Sequence, residues 1–160
     1  MAQIGTTGAV ARRRVTAWLA WADVASGRVQ VTFDCAEPEA LAAFWAAVLG
    51  YPAPDINGFR AKLRSIGIPE ENLGDSCRIN DPAGARPRLF FQRVPEPKVT
   101  KNRVHLDVGA TEASLGSRED IDREVKRIVG LGGRVLRCVT DEAGYFVVML
   151  DPEGNEFCVD

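Results

Sequence analysis

Two tetrapeptides of one kind, Asp81-Pro82-Ala83-Gly84 and Asp151-Pro152-Glu153-Gly154, stand ahead of a short apolar segment in each half of the chain. Proline presets φ at the second position and glycine supplies a left-handed residue, so each reads as a tight turn into a strand. What precedes the turns repeats as well. Residues 28–35 alternate, with Val29, Val31, Phe33 and Cys35 on one side and Gln30, Thr32 and Asp34 on the other, the period-two pattern of a strand. Glu37-Pro38-Glu39 then places acids and a proline in a first helical turn. Leu41, Phe44, Trp45, Val48 and Leu49 share one helical stripe, and Gly50, Pro52 and Pro54 stop it. Extended segments are predicted at 59–65, 75–80 and 88–94, between clusters of Pro, Gly and Asn. The second half predicts a strand at 103–108, a helix at 118–129 with Ile121, Val125, Ile128 and Val129 on its apolar face, and strands at 134–140, 145–150 and 156–159.

Both halves therefore read as strand, helix, three strands. One such half leaves a sheet face uncovered, and two related by a pseudo-twofold bring their sheets together around a shared cleft. The predicted class is α+β: two tandem βαβββ modules, about 28–95 and 102–160, forming a curved mixed sheet around a cleft, after an extension over 1–27.

Composition narrows the function classes. With 20 Lys and Arg against 22 Asp and Glu in 160 residues, the chain lacks the cationic excess that nucleic-acid phosphates require. No apolar run is long enough to span a membrane. Arg12, Arg13 and Arg14 lead into the apolar residues 15–22, which resembles the start of a secretion signal, but Asp23 ends the run early, and an extension or over-long start is the preferred account. Cys35, Cys77, Cys138 and Cys158 form no zinc or redox motif, so a reducing cytosol is the expected home.

The paired plan, together with Asp34-Cys35-Ala36-Glu37-Pro38, Leu41-Ala42-Ala43-Phe44-Trp45, Leu49-Gly50-Tyr51 and Leu150-Asp151-Pro152-Glu153-Gly154-Asn155-Glu156-Phe157, resembles the vicinal oxygen chelate superfamily of glyoxalase, bleomycin resistance and dioxygenase proteins, in its glyoxalase-like branch. The resemblance covers about 28–160. It implies a divalent metal (Zn, Ni, Mn or Fe) held by side chains of the first strand of each module and of the last strand. Gln30 and His105 occupy matching places, each seven residues before the acid of the following connection, Glu37 or Glu112, and Glu156 lies on the final strand. A fourth ligand from the first module is missing, with Gln92 the nearest oxygen to Leu89-Phe90-Phe91. The resemblance also implies a homodimer.

A metal on Gln30, His105 and Glu156 would keep open positions for two vicinal oxygens of a substrate. Asp34 and Asp107, each on the strand face of an expected ligand, are then the candidate bases, with Glu156 itself a third catalytic candidate, though both aspartates read equally as structural hydrogen-bonding carboxylates. Without a metal, Thr32, Asp34, His105, Asp107 and Glu156 become a polar floor for binding. Phe90 and Tyr145 are candidates for stacking on a planar ligand in the cleft, beside Gln92. Arg86, Arg88, Arg93, Lys98, Lys101 and Arg103 against Glu96 make either a solvated basic face or a lure for an anionic substrate. Three functions follow: a metal-dependent lyase or isomerase acting on a small vicinal-oxygen or anionic substrate; a metal-free binding protein of the bleomycin-resistance type; or a module without chemistry. Extradiol dioxygenase chemistry, which wants two histidines and one carboxylate around iron, is disfavoured by the single histidine.

Overall fold

The computed structural model describes residues 29–111, 116–142 and 144–160; the expected extension at 1–27 lies outside them. Module 1 runs β1 (Gln30–Cys35), α1 (Pro38–Leu49), α2 (Ile56–Ser65), a 3-10 turn (Glu70–Asn72), β2 (Ser76–Ile79) and β3 (Arg88–Arg93). Module 2 runs β4 (Asp107–Val108), α3 (Arg118–Gly130), β5 (Arg134–Asp141), β6 (Gly144–Leu150) and β7 (Glu156–Val159). The α+β class and its two mixed sheets stand. One sheet has the order β1-β3-β2, the other β4-β7-β6-β5, and in each the first strand lies parallel to the last.

Two expected elements change. Residues 59–65 are helical, so module 1 has two helices and three strands. Their alternation masked a second pattern, Ile56, Phe59 and Leu63, spaced by three and four, and Asp55 caps that helix by accepting the Gly58 N–H at 2.9 Å. The expected strand 103–108 shrinks to Asp107–Val108, leaving His105 in the connector and Val104 79% exposed.

Helix α1 forms as its sequence dictates. Pro38 occupies the first turn, where its missing N–H costs nothing, and Gly50 at φ 66° closes the far end. Its buried stripe faces the core side of β1, β2 and β3, where Phe33, Leu89, Phe91 and Cys77 pack. The helix also carries the inter-module contact. The Trp45 ring centroid lies 5.3 Å from Phe33 in module 1 and 5.0 Å from Phe157 in module 2, and Phe44 meets Phe157 edge-on. Module 2 supplies partners to both ends of α1. The Glu153 carboxylate accepts the N–H groups of Ala36 and Glu37 at 2.7 and 2.8 Å, while the Arg127 guanidinium donates to the carbonyls of Ala47 and Val48 at 2.9 and 2.8 Å. An anion at the N-terminus and a cation at the C-terminus both complement the helix dipole.

Candidate functional site

Where β1 of module 1 approaches β4 and β7 of module 2, two adjoining depressions of about 500 and about 370 Å³ share Asp34 and Asn155. The smaller is the candidate site. Its walls include Thr32 and Asp34 from β1, Asn102 and His105 from the connector, Glu156 at the head of β7, and an apolar base of Phe33, Trp45, Leu106 and Phe157. Strand geometry explains the polar side. β1 buries its odd residues toward α1 and leaves Gln30, Thr32 and Asp34 exposed, and in β7 Glu156 and Cys158 alternate with buried Phe157 and Val159.

Four of the expected site residues therefore meet here: Thr32, Asp34, His105 and Glu156. Others do not. Gln30 lies at the far end of β1, with its amide donating to the Thr32 hydroxyl at 3.3 Å. Asp107 sits beyond the pocket wall beside Cys158, its cross-strand partner. Phe90 and Gln92 stand on the open face of the β1-β3-β2 sheet, next to Thr32 and Asp34 in register, and Gln92 donates to the Asp34 carboxylate at 2.8 Å. Tyr145, expected in the cleft, faces α3 instead, because odd residues of β6 point to the core: its hydroxyl donates to Asp122 at 2.7 Å and its ring lies 4.3 Å beneath the Arg118 guanidinium carbon. That hydrogen bond to Asp122 holds the phenol protonated, with a pKa pushed up to about 12.

The sequence reading missed the partners that the connector brings to these side chains. Lys98 places its ammonium 2.9 Å from the Glu156 carboxylate, and the Asn102 N–H donates to the same oxygen at 2.9 Å. Burial would raise the pKa of Glu156, yet these two donors outweigh it and hold the carboxyl at about 2. Lys101 sets its Nζ 2.8 Å from His105 Nε2. The Asn102 carbonyl oxygen lies 3.2 Å from the same ring nitrogen. The signal available in the sequence was the run of cations between the modules, which names no partner.

A divalent cation needs free lone pairs converging on one point. Here an ammonium stands on the carboxylate oxygen of Glu156 and another on the imidazole nitrogen of His105, and Gln30 is turned to Thr32. Among the described residues no three His, Cys, Asp or Glu side chains come close enough to hold a metal ion. The donor set as arranged is engaged by the chain's own Lys98 and Lys101 and does not fit a divalent ion. Nor is a thiolate at hand: burial, first of all, pushes Cys35 up to about 12 and Cys158 up to about 11. What remains is hydrogen-bonding capacity from Thr32, Asp34 and Asn155 over an aromatic base, with the Lys101 ammonium next to the pocket through its contact with His105.

Among the described residues no helix is long and apolar enough to cross a membrane. No curated protein matches the sequence. The fold is shared with solved structures of low identity: a fosfomycin resistance protein FosX variant from Listeria monocytogenes in complex with Mn(II) and 1S,2S-dihydroxypropylphosphonic acid, 12% identical, covering 84% of this chain and 90% of that one with a TM-score of 0.58. A glyoxalase/bleomycin resistance protein/dioxygenase family enzyme from Burkholderia phytofirmans is 16% identical over 81% of this chain and 94% of that one, with a TM-score of 0.55. A possible glyoxalase from Bacillus cereus is 18% identical over 84% and 98%, with a TM-score of 0.54. The glyoxalase-like domain family matches residues 30–159, nearly all of the two modules, and it is to this family, within the glyoxalase, bleomycin resistance and dioxygenase fold, that the chain belongs.

Proposed function

We propose that the chain is a small-molecule-binding member of its family that takes an oxygen-rich, anionic ligand into the pocket between β1 and β7 and does so without a bound metal. The observation that carries this reading is the Lys98 ammonium at 2.9 Å from Glu156, which neutralises the one carboxylate placed to be a strong metal ligand. Lys101 beside His105 adds a second positive charge at the pocket mouth. A ligand carboxylate or phosphoryl oxygen would meet Lys101 and the Thr32 hydroxyl, while its apolar part would rest on Phe33 and Trp45. Four free cysteines support residence in a reducing compartment, and a homodimer is the expected assembly.

A second reading has its own support. The Mn(II)-bound FosX variant shares this fold, and a lyase or isomerase with Gln30, His105 and Glu156 as metal ligands would need Lys98 to leave Glu156 and Gln30 to turn from Thr32. Elemental analysis of untagged protein separates the two, run on wild type, His105→Ala and Lys98→Ala after incubation with excess Mn, Ni, Zn and Fe. Metal-free wild type, with anionic ligands stabilising it against heat, supports the binding reading. Near-stoichiometric metal in wild type, lost in His105→Ala, would replace it with the metal-dependent enzyme.

A further inference from the structure

Four strands stand at sheet edges: β1 and β2 in one sheet, β4 and β5 in the other. β1 and the segment entering β4 line the pocket between the modules. β2 is four residues long, none of them exposed, and α2 stands beside it with the Phe59 ring 5.1 Å from the Arg78 guanidinium carbon. β5 has neither kind of cover. It runs for eight residues, seven of them exposed, and among the described residues nothing pairs with its outer side. An open edge presents backbone N–H and C=O groups to any strand that can align with it, and folds usually shorten or cover such an edge. Apolar side chains gather here as well: Val129 and Leu131, where α3 gives way to the turn, and Val135 and Leu136 at the start of β5 are all exposed.

The charges of this strand are complementary to those of a copy of itself. Arg134 and Arg137 lie toward its start, Asp141 and Glu142 at its end. A second β5 alongside in parallel would set like charges together, whereas an antiparallel one sets each start against the other's end. Side-chain faces then select the register. Against β6, Val135, Cys138 and Thr140 share the face of Met149, Val147 and Tyr145, while Arg134, Arg137, Val139 and Asp141 fall on the other face, and Leu136 is the extra residue of a bulge. Residues paired across two strands of one sheet must point to the same side. With Leu136 skipped, as β6 skips it, the register centred on Cys138 meets that condition along the whole strand. Cys138 faces Cys138 of the second copy, Val139 faces Arg137, Thr140 faces Val135 and Asp141 faces Arg134. A shift toward the start sets Arg137 against its own copy, and a shift toward the end shortens the pairing.

We propose that the outer edge of β5 is the docking surface for a second copy of this chain, the two strands pairing antiparallel across a twofold axis at Cys138, with Arg134 and Asp141 joined between copies at both ends. The proposal goes beyond the expected homodimer by naming its surface and register, and it does not depend on what the pocket binds. The test is cross-linking of untagged full-length protein at micromolar concentration with a short bismaleimide, beside sedimentation velocity. Cys35 and Cys77 are buried, so Cys138 is the exposed thiol within reach of the reagent, and Cys158, partly exposed, is the control. A sedimenting dimer that cross-links is expected, the cross-link being lost in Cys138→Ser and kept in Cys158→Ser. Arg134→Glu should weaken dimerisation tenfold or more, and adding Asp141→Arg to it should bring the affinity back to within threefold of wild type, since the swapped charges again face each other. Circular dichroism reports whether each variant is folded. If the double variant does not fold, the cross-link and Arg134→Glu, whose side chain is exposed, decide. A dimer that does not cross-link through Cys138, or a folded Arg134→Glu that dimerises like wild type, would overturn this interface and leave the expected homodimer standing. A monomer throughout, whatever else covers β5, would overturn both.

Discussion

At Asp81 the carboxylate accepts the N–H groups of Ala83, Ala85 and Arg86 at 3.2, 2.9 and 2.8 Å, all within its own turn. At Asp151 it accepts those of Glu153 and Asn155 at 3.0 and 2.9 Å, and then reaches further, to the Asn155 amide at 2.8 Å and to Trp45 Nε1 of the other module at 3.2 Å. The turns share a backbone plan, with Gly84 and Gly154 donating to the aspartate carbonyls at 3.1 and 3.0 Å. Their electrostatics are opposite. The Arg86 N–H, first among its donors, holds the Asp81 carboxyl below the usual range, whereas burial pushes Asp151 up despite four donors. One sequence motif therefore does two jobs: the first turn reverses the chain and holds Arg86 against Leu49 and Tyr51 within module 1, and the second docks module 2 onto α1.

Asp151→Ala tests that difference most strongly. It leaves the buried indole N–H and three other donors without an acceptor, and should cost about 3 kcal/mol or more, read as a shift of the urea midpoint. Asp81→Ala should cost clearly less, since its donors can turn to water. Equal losses would break the comparison. The pH dependence should differ in sign as well. A carboxyl held low in the folded state contributes stability that is present above its unfolded pKa and lost as pH falls through the folded value, so Asp81→Asn should flatten the acid limb. A carboxyl raised by burial favours the protonated folded state, so Asp151 works against stability as pH rises, and Asp151→Asn should remove that slope.

Position three of each turn sharpens the contrast. Glu153 accepts the Ala36 and Glu37 N–H groups at the start of α1, while Ala83 has no counterpart. Glu153→Ala should cost about 1–2 kcal/mol, the size of a lost helix cap, and Glu153→Gln less. Ala83→Glu should gain nothing. Two residues after Gly154, Glu156 adds an acid-labile contribution of its own. With its carboxyl held at about 2 against an ordinary 4.5, its contribution is complete above pH 4.5 and lost between 4.5 and 2. Glu156→Gln and Lys98→Met should each remove that limb of the stability curve, at about 1–3 kcal/mol near neutral pH. If only one of them does, Asn102 rather than Lys98 holds the carboxylate.

The paired turns, the α1 stripe and the Gly50 stop were legible because each is written in local spacing. Helix α2 was not, since Phe59, Ala61, Leu63 and Ser65 alternate like a strand and its competing helical pattern, Ile56, Phe59 and Leu63, has only three members, none of them fully buried. The pocket was legible in half. Thr32, Asp34 and Glu156 stand where strand parity puts them, while His105 reaches the pocket from the connector rather than from a strand, Tyr145 lies on the other face of β6 and Gln30 too far along β1. Lys98 and Lys101 were visible only as part of a cation run, because the contacts that give them meaning depend on how the connector lies across β7. The capping of α1 by Glu153 and Arg127 is likewise a product of module docking, and no spacing rule within module 1 encodes it.

The smallest effect serves as the control for the largest. Gly84 and Gly154 adopt φ of 69° and 88°, and a methyl group at either position would meet no atom within 4 Å. Alanine there is penalised by backbone conformation alone, about 1 kcal/mol in each turn. The two substitutions should therefore shift the urea midpoint by similar amounts. Similar shifts, set beside unequal losses for Asp81→Ala and Asp151→Ala, would locate the difference between the turns in what the aspartate touches rather than in the turns themselves. A much larger loss at Gly154→Ala would instead mean that the second turn's backbone is itself held rigid by the docking of Glu153 and Trp45, so that strain there is transmitted to α1.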